Sequence, residues 1–292
     1  MTAVQHAAEP VAIPVQRRSG RRLNGRLAVG LGLLAVVLLL AVVAPLLSRY
    51  STDEIVGADA LSGPSSAHWL GADNLGRDIF VRMAVGYRIS LEVAACSVAI
   101  GLLGGVPLGL IAGYGGGRVD NLVMRPLDVL MAFPAVLLAI VVMAILGTGL
   151  GVLMLAIGVV YIPVLARVTR ASTLETSSQL YVEAVRARGA GRRRVVLRHV
   201  LPNSIGPVIV QASILLGIAV LLEAALSFIG ICVKPPTPSL GAMLSEGRDF
   251  MTSSTWIVAV PGVAIAVLVL TFNLIGDGLH AWLDPRGKAD AR

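Results

Sequence analysis

Residues 181–203 read YVEAVRARGAGRRRVVLRHVLPN, the longest polar and basic stretch between two strongly apolar segments of the chain. Arg186, Arg188, Arg192, Arg193, Arg194 and Arg198 fall inside it. The flanking apolar runs are long enough to cross a bilayer, which takes about 20 residues each. Lys and Arg are retained on the cytoplasmic side, so a basic loop of this length between two spans is expected to face the cytoplasm. Its interior has a helix–break–helix rhythm. Tyr181–Arg188 reads as one helix, Gly189-Ala190-Gly191 as a joint, and Arg192–Val200 as a second helix ended by Pro202. Two short helices outside the membrane make a protrusion able to dock into a partner, although a basic loop of this kind also serves simply to set topology.

Composition places the whole chain in a membrane. Hydrophobic residues make up 56% and charged residues only 14%, against about a quarter charged in soluble domains. Mean hydropathy is +0.83. The apolar runs are continuous where a membrane barrel would alternate. A formal net charge of +7 with 4% aromatic residues fits span-end arginines better than a nucleic-acid surface, so nucleic acid is not an expected partner. Cys96 and Cys232 are the only cysteines and build neither a disulfide framework nor a metal-ligand cluster.

Working outward, six spans are expected. Residues 1–26 carry Arg17, Arg18, Arg21, Arg22 and Arg26 and read as a cytoplasmic tail before span one, Leu27–Leu47. Residues 48–85 form a charged extracytoplasmic segment, within which Asp78 and nearby arginines are expected to pin the loop. His68 with Asp73 and Asp78 is a weak metal pattern. Span two, Ser90–Ala112, carries Gly101, Gly104, Gly105, Pro107 and Gly109, small residues that allow close helix approach. Residues 113–134 read as a tight cytoplasmic turn. Span three is Val129–Leu146, broken near Pro134, and span four Leu150–Leu165. Span five, Pro207–Ile229, carries Glu223, which at that depth should face protein or water; it is a candidate either for the translocation path or for a structural buried charge. An outer loop, 230–255, leads to span six, Trp256–Leu279, and residues 282–292 form a second cytoplasmic tail. On this topology 18 of the 24 Lys and Arg residues lie inside and six outside. No Walker A pattern, H-E-x-x-H motif or internal repeat is present, so nucleotide binding, metalloprotease chemistry and an inverted-repeat carrier find no support.

Glu183-Ala184, Gly189 and Leu201-Pro202 resemble the EAA loop of ABC importer permeases, with Val185 and His199 departing from the usual Ala and Ile. His68–Asp78 is similar to the H-x-LGTD-x-x-GRD signature of the dipeptide/oligopeptide (and nickel) C-type permeases, with Ala72 for Thr. Gly113, Tyr114, Gly116, Gly117, Asp120, Met124, Arg125 and Asp128 match that family's next signature. Leu226–Leu244 and Phe272–Arg286 resemble two more, with Leu240, His280 and Trp282 as departures.

The resemblance implies an all-α integral membrane protein with six transmembrane helices, the type I ABC importer transmembrane domain, whose permease core covers 86–281 and whose coupling loop covers 170–203. It implies that Tyr181, Glu183, Ala184, Arg188, Gly189, Arg198, Leu201 and Pro202 couple to an ATPase. The implied partners are a homologous second permease, two cytoplasmic ABC ATPases, an extracytoplasmic substrate-binding protein and membrane lipid. ATP and Mg are bound by the ATPases, no cofactor by this chain, which does no covalent chemistry. Di- or oligopeptides are the implied cargo. A nickel or other small-solute importer, or an ion-coupled carrier acting alone, is the alternative.

Overall fold

The computed structural model describes residues 25–55, 59–231 and 237–283. Most of both expected tails, Cys232, Lys234 and the Asp284-Pro285-Arg286 end of the last signature lie outside the described residues.

Among the described residues are ten α-helices and no β-sheet: α1 Gly25–Leu47, α2 Ile79–Gly115, α3 Gly117–Met131, α4 Ala135–Leu146, α5 Leu150–Ser177, α6 Leu180–Ala187, α7 Arg192–Val195, α8 Leu201–Phe228, α9 Leu240–Gly247 and α10 Trp256–Leu283. Five are long and apolar enough to cross a membrane, counting α7 and α8 as one continuous helix. A sixth crossing requires α3 and α4 to be taken together, and these are bent by 94° at Ala132–Pro134. Span three is thus a broken pair. Pro134 is the cause: it has no N–H, and its ring pushes the preceding residue out of the helical region.

Residues 113–134 are not a tight turn. α2 runs 37 residues, about 55 Å, and turns only at Gly116 and Gly117, whose φ values of +60° and +47° need glycine. α3 then folds back along the bundle as an amphipathic helix, burying Met124 and Leu127 against Ala112 and Ala166 while Arg118 and Arg125 stay exposed. α5 likewise continues twelve residues past the expected end at Leu165. The expected outer loop contains α9, started by the Ser239 hydroxyl accepting from the Ala242 N–H.

The tightest packing is α2 on α5. Glycines 101, 105, 109 and 113 recur every four residues, forming one stripe. A Cβ at Gly109 would lie 2.5 Å from the Ala166 carbonyl oxygen, so only hydrogen fits there. α8 packs on α2, α5 and α10, and α10 packs on α1. Leu27 lies against Gly278, so α1 begins where α10 finishes. The bundle therefore has two ends: a loop end with α3, α6, α7 and the described termini, and a far end with residues 48–55, residues 59–78 and α9.

Candidate functional site

The loop end is built around α6. Gln179 precedes it in extended conformation, and its carbonyl accepts from the Val182 and Glu183 N–H groups. At the other end Gly189 has φ +81°. The Gly189 N–H bonds to the Arg186 carbonyl at 2.9 Å and the Ala190 N–H to the Val185 carbonyl at 3.4 Å. That is a Schellman closure, and Val185 and Ala190, the two residues it joins, both pack on the cluster of Val182, Val195 and Val200. A Cβ at Gly189 would meet nothing within 4 Å, so the demand for glycine there comes from the backbone alone.

The chain then enters α7 at Arg192. The second helix is not ended by Pro202. Residues 196–200 form one π-helical turn that runs directly into α8, giving a helix continuous from Arg192 to Phe228. A proline ring clashes with the carbonyl four residues back, here that of Arg198. Widening to a π-turn, in which the Leu201 N–H bonds to the Val196 carbonyl, relieves the crowding without breaking the helix. The His199 carbonyl at this turn accepts from Asn203 Nδ2 at 2.7 Å and from the Tyr181 hydroxyl at 3.4 Å. Tyr181 thus ties α6 to the base of α8.

Val182, Val195 and Val200 are buried together beneath the loop, with Tyr114 from the end of α2 packed against them. The Arg186 guanidinium lies over the Tyr114 ring. Of the residues implied by the resemblance, Tyr181, Glu183, Ala184, Arg188, Gly189, Arg198 and Pro202 are exposed, and Leu201 is half-buried. They share one protruding surface whose underside is apolar and anchored. Tyr114 and Asn203 carry that anchoring and were not expected from the loop alone. Tyr114 lies in the GY signature, and Asn203 is the polar residue beside the proline.

Two ion pairs brace the stalk below. Asp120 of α3 accepts from Nε and Nη2 of Arg170 on α5, both at 2.5 Å. Asp128 accepts from Arg167 at 2.6 Å. The Ser172 hydroxyl donates to the Ser204 carbonyl at 2.9 Å, joining α5 to α8.

Glu223 lies toward the far end and is fully buried within the chain. Its carboxylate accepts from Ser90 of α2 at 2.7 Å and from Ser227 of α8 at 2.9 Å. Ser239 stands beside it.

The segment before α2 is pinned differently from the expectation. Asp78 caps α2 by accepting from the Val81 N–H and pairs with His68 Nδ1 at 2.9 Å. It is Asp73 that holds Arg77, at 2.5 Å, and Arg82, at 3.5 Å. Glu246 of α9 completes the cluster, 2.7 Å from Arg77 and 3.2 Å from Arg82. Nothing local in the sequence pointed to Glu246.

This is the architecture of a transport permease: a bundle of apolar helices with a hinged helical protrusion at one end and a braced cap at the other. The chain belongs to the family of binding-protein-dependent transport system inner membrane components, whose model matches residues 105–288. It is 43% identical over 261 residues to the dipeptide transport system permease protein DppC of Alkalihalophilus pseudofirmus, covering 89% of this chain and 86% of that one. It is also 43% identical over 271 residues to the glutathione transport system permease protein GsiD of Pectobacterium atrosepticum, covering 92% and 90%. Among solved structures it is similar to a chain of the MetNI methionine ABC transporter in an inward-facing conformation. There the TM-score is 0.59 at 20% identity, covering 70% of this chain and 96% of that one. The fold is the type I ABC importer transmembrane domain.

Proposed function

We propose that this chain pairs with a homologous permease to form the translocation path of an importer for di- or oligopeptides, driven by two separate ATPases that bind ATP and Mg. An extracytoplasmic binding protein delivers the cargo. The observation that carries the reading is α6. It is a short helix outside the bundle, closed at Gly189, with its apolar side sealed on Tyr114 and Val200 and its Glu183 face free. Closure of the ATPase pair would push α6, and the push would reach α5 directly and α8 through the Tyr181–His199 contact. The loop end is cytoplasmic on this reading, with both chain ends on that side, in the cytoplasmic membrane of a bacterium. Relatives named for dipeptide and glutathione transport support a peptide cargo. Glu223, enclosed between α2 and α8, serves as a structural tie.

Uptake of labelled dipeptides by cells carrying the complete system tests the cargo; uptake of nickel in their place would overturn it. Sidedness is tested by fusing a reporter active only outside the cytoplasm. It should be active after Gly63 or Thr237 and silent after Gly117 or Gly191, and activity at Gly191 would remove the coupling role of the loop. The purified chain alone should hydrolyse no ATP.

A further inference from the structure

At the far end, α1 and the stretch leading into α2 do not close on one another. Between them lies a groove of about 750 Å³, within the range of about 300–1,000 Å³ that ligand sites occupy. Leu39, Leu40 and Val43 of α1 form one wall, and Trp69 and Phe80 the other. The two rings stand 5.2 Å apart between centroids, and Trp69 is 68% exposed.

The groove is apolar along its walls and cationic at its rim. Arg49 follows the last residue of α1 by two positions, is exposed, and lines the groove. It has no ion-pair partner among the described residues. Asp78 is the one carboxylate among the described lining residues. Both its oxygens are engaged, one by the Val81 N–H and the other by His68 Nδ1 at 2.9 Å. Arg49 is therefore the free charge of the groove, and it calls for an anion.

Depth narrows the choice of occupant. Leu39 and Leu47 are eight residues apart, about 12 Å along a helix, so the α1 wall fits within one leaflet of a hydrocarbon core about 30 Å thick. Arg49 then falls at headgroup level, and Trp69 on the same groove is of the type enriched at that interface. A soluble protein cannot follow the groove into hydrocarbon. The lining residues run from 39 to 80 and all precede the region 105–288 shared with the family, so the groove is an addition to the common permease core. An apolar tail joined to an anionic head is what remains.

We infer that the groove binds one phospholipid, with an acyl chain between α1 and Phe80 and the phosphodiester paired with the Arg49 guanidinium. On the sidedness proposed above the lipid belongs to the outer leaflet; the site itself stands without that reading.

The test uses the complete transporter purified in detergent and phosphatidylethanolamine or phosphatidylglycerol carrying a photoreactive diazirine in one acyl chain, with cross-links mapped by peptide mass. Labelling should concentrate on residues 39–50 and 66–80, saturate, and be competed by unlabelled phospholipid but not by diacylglycerol, which lacks the phosphate. Arg49→Gln should weaken this labelling about three- to fivefold, as for a charge pair open to solvent, and Arg49→Lys should retain most of it. Arg248→Gln removes an exposed arginine that pairs with Asp249 and should change nothing. Label spread evenly along exposed α1 positions such as Val29 and Val36, without saturation, would reduce the groove to ordinary lipid contact and overturn the inference. Equal competition by diacylglycerol would overturn it too, as would unchanged labelling in Arg49→Gln or an equal loss in Arg248→Gln.

Discussion

The Arg186 guanidinium lies 4.8 Å from the centroid of the Tyr114 ring. A residue of the protruding helix is thereby fastened to the end of α2, 72 positions earlier in the chain. A cation–π contact of this kind contributes about 0.5–1 kcal/mol at an exposed site. Tyr114 also packs on Val182, Val195 and Val200, so its loss removes apolar contact as well as the cation's partner.

Tyr114→Ala should leave the permease inserted at normal levels yet lower dipeptide uptake several-fold, because the loop loses its base. Tyr114→Phe should retain most uptake, since the ring face remains. If both variants transport as wild type does, this contact is not part of the coupling path.

Gly189→Val forces a β-branched residue to a φ of +81°, costing about 1–2 kcal/mol. With no neighbour within 4 Å of the added Cβ, that cost falls on the loop conformation and spares the spans. Uptake and ATPase co-purification should both fall while membrane levels hold. Gly189→Asn should be milder, because Asn tolerates the left-handed region. Glu183→Lys should reduce both readouts by a separate route, reversing the charge of the docking face with α6 itself intact. Wild-type uptake in Gly189→Val and Glu183→Lys alike would reduce the loop to a topological anchor.

Asp120 and Arg170 make a bidentate pair whose side chains are only partly exposed, 19% and 33%. Hydrogen bonds to charged groups contribute about 1.5–3 kcal/mol, less where solvent screens them. Asp120→Arg and Arg170→Asp should each lower the thermal stability of the purified permease and its uptake. The double exchange should recover much of both. No recovery would mean that the two residues act independently.

Gly109→Val inserts three carbons where even a Cβ would lie 2.5 Å from the Ala166 carbonyl oxygen. Overpacking typically costs about 1–3 kcal/mol, and backbone on the other side leaves little to yield. Folded protein in the membrane should drop sharply, whereas Gly151→Val, with nothing within 4 Å of its Cβ, should express normally. Equal expression of the two would show that α2 and α5 can separate at this point.

Glu223→Ala leaves the hydroxyls of Ser90 and Ser227 without their acceptor, at about 1–3 kcal/mol for each buried group left unpaired. Glu223→Gln keeps an acceptor oxygen and should retain most of the melting temperature and the uptake. Normal stability with abolished uptake in Glu223→Gln would instead place the carboxylate in the transport path.

What the sequence determined alone was local in origin. Run length and apolar continuity identified the membrane helices, because the bilayer fixes how many residues a span needs. The rhythm of 181–203 marked α6 and its glycine joint, because a helix closed in the left-handed region writes glycine at one position. That the residues implied by the resemblance share one surface was legible for the same reason, since all of them fall between Tyr181 and Pro202. Tertiary structure decided the rest. Pro202 looked like a stop, and became the first turn of a long span only because a π-turn opens behind it and Asn203 and Tyr181 serve the His199 carbonyl. Residues 113–134 looked like a turn rich in glycine and proline. They became an amphipathic helix because Met124, Leu127, Asp120 and Asp128 all find partners on the bundle, some of them about 40 to 50 residues away. Glu246 joins Arg77 across 169 positions and Ser90 reaches Glu223 across 133. Such pairings are set by which helix faces meet, and no pattern with the period of a single helix encodes that.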